Sequence, residues 1–379
     1  MLFCLISITL SMVLGALLMP RVLVISYKKK LFDIPDDRKV HTAPIPRLGG
    51  VTFFPITIIS FLSALAICYK LFGYFPGDEY MGLTFLFYAF FIGLTSLYLI
   101  GCADDLIGVG YKSKFLVQLV VASLFPFSGL YINNLGGLFG IYELPFWLGS
   151  ILTVILVVYI TNAINLIDGI DGLASGLSLI ALVFLASLFY AYGGTLHVIF
   201  IGAVVGVLYV FFFYNVFGRA ERRQKLFMGD TGSLTLGYTI SFLLLFFLKT
   251  SASLDPWDNG LSVVAMSSLI IPLFDVARVV LTRARDKRNL FLPDKNHIHH
   301  KLLRTGLKAT AVMVTLLGIA LFFIIYNVVL VRLVGLTLVF LIDIATWTLL
   351  NVVINYFILR HEHRTGKIWH IAYNDEHKK

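Results

Sequence analysis

Thr161-Asn162-Ala163-Ile164-Asn165-Leu166-Ile167-Asp168-Gly169-Ile170-Asp171-Gly172-Leu173 sets two amides, two carboxylates and two glycines between apolar stretches long enough to cross a membrane. An unpaired charge at the bilayer centre costs about 2.5–3.5 kcal/mol even on insertion scales. Two acids with no basic neighbour therefore indicate an interfacial turn that holds a cation, not a lipid-facing helix. Asn165, Asp168 and Asp171 fall at i, i+3 and i+6, so neighbouring members share a face in helical geometry. Gly169 and Gly172 let the chain bend and a ligand come close. The segment predicts a metal–phosphate site at a membrane surface.

The rest of the chain supplies the membrane. Hydrophobic residues make up 59% and charged residues 13%, against roughly 45–50% and 25% in soluble domains. Apolar runs of about 17–25 residues, the length a helix needs to span hydrocarbon, recur throughout. About eleven spans are expected, near 3–26, 48–72, 81–101, 114–131, 146–164, 172–192, 196–217, 231–248, 260–281, 309–331 and 333–357. Links as short as Gly193-Gly194-Thr195 predict an all-α, polytopic membrane helical bundle rather than a barrel. Residues 1–379 read as one integral membrane domain with a polar tail over 358–379.

Charge orients the bundle. Lys and Arg collect at 27–50 (six), 102–115 (two), 218–230 (four), 282–308 (eight) and 358–379 (five), which is 25 of the 30. The opposite loops carry Asp78, Glu79, Glu143, Asp255 and Asp258, with Lys70, Lys249 and Arg332 at their edges. The positive-inside rule makes the basic set cytoplasmic, so the N-terminus is expected outside and the C-terminus cytoplasmic. The net charge of +9 thus reads as topology first and as attraction for anionic lipid or substrate second. No nucleic-acid partner is expected. The first span is not expected to be a cleavable signal, because its basic cluster Lys28-Lys29-Lys30 follows the apolar stretch. Cys4, Cys68 and Cys102 are scattered and offer neither a disulfide framework nor zinc spacing.

The strong polar clusters all fall on the basic side. Asp104-Asp105 follows the third span, the Asn165–Asp171 segment the fifth, and Phe227-Met228-Gly229-Asp230-Thr231-Gly232-Ser233 opens the eighth. Pro293-Asp294-Lys295-Asn296-His297-Ile298-His299-His300-Lys301 precedes the tenth. Each has a plainer reading. Asp104-Asp105 would serve as a solvated helix end, with Lys112 and Lys114 nearby as counter-ions, and Asp230 as a helix cap. The histidines would sit on the surface, and Asp275 and Arg278, three residues apart, would only neutralise each other. The coincidence of the clusters on one face argues for chemistry. A channel or pump would place its acids nearer the midplane.

In this order the clusters resemble the polyprenyl-phosphate N-acetylhexosamine-1-phosphate transferases, the family that includes phospho-MurNAc-pentapeptide translocase. The resemblance runs from about residue 33 to 308 and rests on Asp104-Asp105, residues 162–173, residues 227–233 and residues 293–303. The stretch Asp36-Asp37-Arg38-Lys39-Val40-His41 followed by Pro46-Arg47-Leu48-Gly49-Gly50 is similar too. His297-Ile298-His299-His300 looks like the N-acetylglucosamine branch rather than the three consecutive histidines of the muramoyl-peptide branch. Some members carry a further acid after the aspartate pair, where this chain has Leu106-Ile107-Gly108.

The resemblance implies transfer of a sugar 1-phosphate, GlcNAc-1-phosphate above all, from a UDP-sugar to undecaprenyl phosphate with release of UMP. That would initiate a lipid-linked cell-envelope glycan on the cytoplasmic face of a bacterial inner membrane. It implies Mg²⁺, with Mn²⁺ as a substitute, held by Asn165 and Asp230. Asp104 and Asp105 would position or deprotonate the lipid phosphate, and Asp168 and Asp171 would support the site. Lys39, Arg47, Lys112, Asn162, Phe227, His297, His299 and His300 would bind substrate, Phe227 either stacking on uracil or serving as an apolar anchor. A dimer is left open. Phosphoryl transfer needs charge neutralisation and alignment more than covalent machinery, and direct attack by the lipid phosphate is expected. The rivals are another UDP-sugar (UDP-GalNAc, a deoxy-HexNAc or UDP-MurNAc-pentapeptide) and, from another class, a secondary transporter using the acids as a relay. Asp343, within the last span, has no local partner in sequence.

Overall fold

The computed structural model describes residues 1–33, 45–73, 84–254, 260–287, 289 and 296–366. Thirteen helices run through the described residues. They are α1 (Leu2–Lys29), α2 (Phe53–Phe72), α3 (Thr84–Ile107), α4 (Tyr111–Phe127), α5 (Phe146–Ile167), α6 (Leu173–Ala191) and α7 (Thr195–Phe217), followed by α8 (Gly229–Leu254), α9 (Leu261–Ser267), α10 (Ile270–Arg285), α11 (Ile298–Arg304), α12 (Ala309–Leu330) and α13 (Leu336–Thr365). Two short antiparallel hairpins interrupt them, β1 (Phe32–Asp33) with β2 (Ile45–Pro46) and β3 (Asn134–Leu138) with β4 (Ile141–Glu143).

The protein is a polytopic helical bundle. Nine described helices are long and apolar enough to cross a membrane, and α9 with α10 forms a further, bent pair. With 17 residues, α4 is about 26 Å long, slightly short of a hydrocarbon core of about 30 Å. Each of these segments overlaps one of the expected spans, with ends displaced by up to several residues.

Two expectations need correction. The span expected over 260–281 is not one helix: α9 and α10 meet at 78°. Ser267 and Ser268 turn their hydroxyls onto the carbonyls of Val264 and Ala265, satisfying groups that the break would orphan. Pro272 follows in the first turn of α10, where its missing N–H costs nothing. The second correction concerns the first acidic pair. Asp104 and Asp105 do not follow a helix that ends near 101, because α3 continues to Ile107 and carries both in its last two turns.

Helix α8 is the axis of the bundle: 94% of its membrane window is buried, against 22% for α1. Lipid tails are as apolar as leucine, so close packing must drive association. Small residues provide it. A Cβ at Gly101 of α3 would come within 2.5 Å of Thr231 Cα, and one at Gly237 of α8 within 2.7 Å of Thr161 Cα on α5. Across the α1–α7 contact, Ser7 Oγ donates to Ile199 O at 2.8 Å and Ser11 Oγ to Ala203 O at 2.5 Å. α13 runs on through the start of the tail expected over 358–379, and Arg304 of α11 pairs with its Glu362 at 2.9 Å. Asp343 has a partner after all, Asn327 Nδ2 of α12 at 3.1 Å.

Candidate active site

The last turns of α3 and α5 meet the first turn of α8 at one end of the bundle. Gly229 adopts a positive φ of 69°, and a Cβ there would collide with the Arg47 carbonyl and the Asp105 carboxylate. Glycine therefore lets this turn pass beneath α3. Backbone bonds from Phe227 N to Pro46 O (2.8 Å), Gly49 N to Phe227 O (3.0 Å) and Gly50 N to Met228 O (2.8 Å) fasten it to the first loop.

The two aspartates of α3 have different tasks. Asp105 is the cap of α8: Oδ1 accepts from Asp230 N at 2.9 Å, and Oδ2 from Thr231 N at 3.0 Å and Thr231 Oγ1 at 2.6 Å. A carboxylate at a helix N-terminus satisfies orphan N–H groups and meets the positive end of the helix dipole. Asp104 instead holds the chain turn through Val109 N at 2.7 Å and turns Oδ2 toward Lys114 Nζ at 3.2 Å. Lys114 also reaches Asp230 Oδ2 at 2.5 Å. The reading of Asp230 as its own helix's cap is thus replaced, since Asp105 caps and Asp230 points into the cluster. Asn165 Nδ2 completes it, 3.2 Å from Asp230 Oδ1 and 2.8 Å from Ser233 Oγ.

Oxygens of Asp104, Asp105 and Asp230 lie within 4.8 Å of one another, close enough to share one cation. The donor set fits a hard divalent ion, which favours carboxylate and amide oxygens. A lysine ammonium already bridges Asp104 and Asp230, so the geometry accepts positive charge between them. Asp230, Asp104 and Asn165 are the residues best placed to hold it. Both oxygens of Asp105 are committed to the first turn of α8, whereas Asp104 and Asp230 each turn an oxygen to the Lys114 ammonium that a cation would displace.

The Asp168–Asp171 turn closes the cluster from α5. The expected helical alignment of Asn165, Asp168 and Asp171 fails because α5 ends at Ile167; Asp168 is its cap and Asp171 lies in the turn beyond. Gly172 N donates to Asn215 Oδ1 at 2.6 Å, and Asn215 Nδ2 to Leu226 O at 2.8 Å, tying this turn to the segment that enters α8. Asp171 pairs with Lys225 at 2.5 Å. Burial, reinforced by the charges of Asp171, Asp230 and Asp105, pushes the Asp168 carboxyl up to about 7.

The histidine loop docks on the same turn and is not a surface loop. His297 and His299 are buried, and a Cβ at Gly169 would overlap the His299 ring. Burial, with His300 and His297 beside it, holds His299 well below the ordinary histidine range, so it is neutral and supplies no counter-charge. His300, half-buried, has its ring 4.2 Å from that of His299.

Other expected residues separate from the cluster. Asn162 donates from Nδ2 to Gln118 Oε1 of α4 and to Val158 O at 2.8 Å, a contact between α5 and α4. Lys112 is exposed, and Lys114, two residues on, takes the place expected for it. Arg47 and Phe227 are half-buried in the loop pairing beside Asp230. Lys39, with the stretch from Asp36 to His41, lies outside the described residues. Lys225 and Asn215 escaped the sequence reading of the site; that reading has Lys114 only as a counter-ion to Asp104-Asp105, and Ser233 only as a member of the 227–233 motif.

Residues 87–248, which contain every carboxylate of the cluster, match the family model described as glycosyl transferase family 4. Over 323 residues the chain is 32% identical to the Bacillus subtilis (strain 168) protein named "Probable undecaprenyl-phosphate N-acetylglucosaminyl 1-phosphate transferase", covering 83% of this chain and 81% of that one. It is 30% identical over 287 residues to the Salmonella typhi "Undecaprenyl-phosphate alpha-N-acetylglucosaminyl 1-phosphate transferase", with 74% and 71% covered. The protein of that name from Escherichia coli (strain K12) is 28% identical over 294 residues, again with 74% and 71% covered. With most of both chains aligned and the acidic cluster inside the matched region, this chain belongs to glycosyl transferase family 4, among the polyprenyl-phosphate N-acetylhexosamine-1-phosphate transferases.

Proposed function

We propose that the chain transfers N-acetylglucosamine 1-phosphate from UDP-GlcNAc to undecaprenyl phosphate at the cytoplasmic face of a bacterial inner membrane, releasing UMP. The observation that carries this reading is the convergence of Asp104, Asp230, Asn165 and Lys114 at the basic end of the bundle. A diphosphate donor and a lipid phosphate need that combination of cation-holding acids and mobile positive charge. The names of the relatives support the sugar and the lipid. Lys/Arg asymmetry supports the cytoplasmic placement.

Asp230, Asp104 and Asn165 would hold Mg²⁺, with Mn²⁺ able to substitute. When bound, the ion would neutralise charge on the donor diphosphate. Lys114, released from the carboxylates, is placed to counter an incoming phosphate, with Arg47 assisting. A lipid phosphate has its second pKa near 6 and is mostly dianionic at cytosolic pH. One of its oxygens bonds to the sugar-bearing phosphorus, the bond from that phosphorus to the bridging oxygen breaks, and UMP leaves with the electron pair. Direct displacement is favoured because Asp105 has both oxygens committed to the α8 cap and Asp104 faces Lys114. An aspartyl nucleophile would have to abandon those bonds.

The test is a panel of labelled UDP-sugars with undecaprenyl phosphate in purified membranes, with Mg²⁺ or EDTA. UMP release that requires metal and lipid and is fastest with UDP-GlcNAc supports the reading. Preference for UDP-GalNAc, a deoxy-HexNAc or UDP-MurNAc-pentapeptide would replace the sugar. A stoichiometric burst of UMP without lipid, leaving sugar phosphate on the denatured protein, would replace direct attack with a covalent route.

A further inference from the structure

Helix α10 carries a buried carboxylate that the reaction described above leaves unused. Asp275 is fully buried and both its oxygens are engaged. Oδ1 accepts from Arg278 Nη2 at 2.6 Å and from the backbone N–H of Ile298 at 3.0 Å, while Oδ2 faces His297 Nδ1 at 2.9 Å. Arg278 reaches on to the carbonyl of Asn296. Three successive residues of the histidine loop are therefore held from α10. Ile298 opens α11, whose own N-cap residue makes no side-chain cap, so Asp275 caps that helix from outside.

A carboxylate only accepts hydrogen bonds, so its contact with His297 places a proton on Nδ1, and in the uncharged tautomer that leaves Nε2 as the acceptor. A pair that merely neutralised itself within α10 would need Arg278 alone. We infer that Asp275 is a positioning residue for the transfer reaction. It sets the tautomer and ring plane of His297, and with Arg278 it sets where α11 lays His299 against Gly169, the residue after Asp168. The inference rests on the proposed reading that the histidine loop meets the sugar-phosphate donor.

Asp275→Asn isolates the point. The amide oxygen still accepts from Arg278 and Ile298, but an N–H now faces His297 Nδ1 and forces the proton to Nε2. Carboxylates that orient a histidine at metal sites are worth about 10–100-fold, and a loss of about that order in kcat/KM for the UDP-sugar is expected here from the same loss of ring orientation. His297→Ala should fall at least as far, and the double variant no further than His297→Ala alone. Losses that multiply would overturn the inference, because Asp275 would then act independently of His297. Full turnover in His297→Ala would instead sink the reading of the loop as part of the donor site. If Asp275→Asn does not fold, the parent protein decides. Solid-state ¹⁵N spectra at pH 8, with His297 assigned through its loss in His297→Ala, should show Nδ1–H and a bare Nε2. An Nε2–H signal there overturns the proposal.

Discussion

Replacing each aspartate of the α3 pair by asparagine separates a cap from a reacting-end carboxylate. Asp105 accepts two backbone N–H bonds and one hydroxyl bond at the start of α8. Asparagine offers one acceptor oxygen, so its amide group must turn N–H bonds toward a backbone N–H donor. A buried donor left unpaired costs about 1–3 kcal/mol. Asp105→Asn should therefore destabilise the protein by about 1–3 kcal/mol. At about 2 °C per kcal/mol for a chain this large, Tm falls by roughly 2–6 °C. Asp104→Asn keeps an oxygen for Val109 N and loses chiefly a part-exposed ion pair with Lys114, worth about 0–1 kcal/mol. Its Tm should move by less than about 2 °C. Thermal unfolding in one detergent, monitored by tryptophan fluorescence, measures both, with UMP release assayed in parallel. Both variants should lose turnover, and only Asp105→Asn should lose stability. Equal melting of the two would refute the division of labour between them.

Asp230→Asn should nearly abolish UMP release with little change in Tm, and EDTA should do the same to the parent until Mg²⁺ or Mn²⁺ is restored; near-parental turnover of the variant at saturating Mg²⁺ removes Asp230 as a ligand. Gly169→Ala drives a methyl into the His299 ring, an overpacking cost of about 1–3 kcal/mol, and should lower kcat/KM for the UDP-sugar, whereas Gly110→Ala, with open space around it, should not. Folding takes up a proton at Asp168 between about pH 4 and 7, since its carboxyl titrates near 3.9 unfolded and about 7 folded. Stability contributed by this group falls as pH rises through that window, so Asp168→Asn in EDTA should melt above the parent at pH 8, the gap closing below pH 4. Reporters fused after Lys112, Lys225 or Lys308 should read as cytoplasmic and one near Asp258 as external; an external reading at Lys308 would move the histidine loop to the wrong side.

The bundle, its spans and the residues gathered at its basic end were legible in the sequence. Apolar length and charge asymmetry are properties of a linear string, and lipid forces such a string into helices. The acids at 104–105, 168–171 and 230 announced themselves because charge beside long apolar runs needs a reason. Their individual roles did not. Asp104 and Asp105 are adjacent and chemically identical, yet one caps a helix 125 residues away and the other faces a lysine. Lys112 and Lys114 differ only in helical phase, which decides that the second reaches Asp230. Asn162 and Asn165 lie on one helix, but the first is spent on α4 and the second meets Asp230. His299 resembles a counter-ion in the sequence and is neutral in the fold, because its charge would have to be buried against Gly169. Composition and order determine which groups arrive at a surface. Which oxygen or nitrogen remains free depends on bonds made across helices, and only tertiary packing sets those distances.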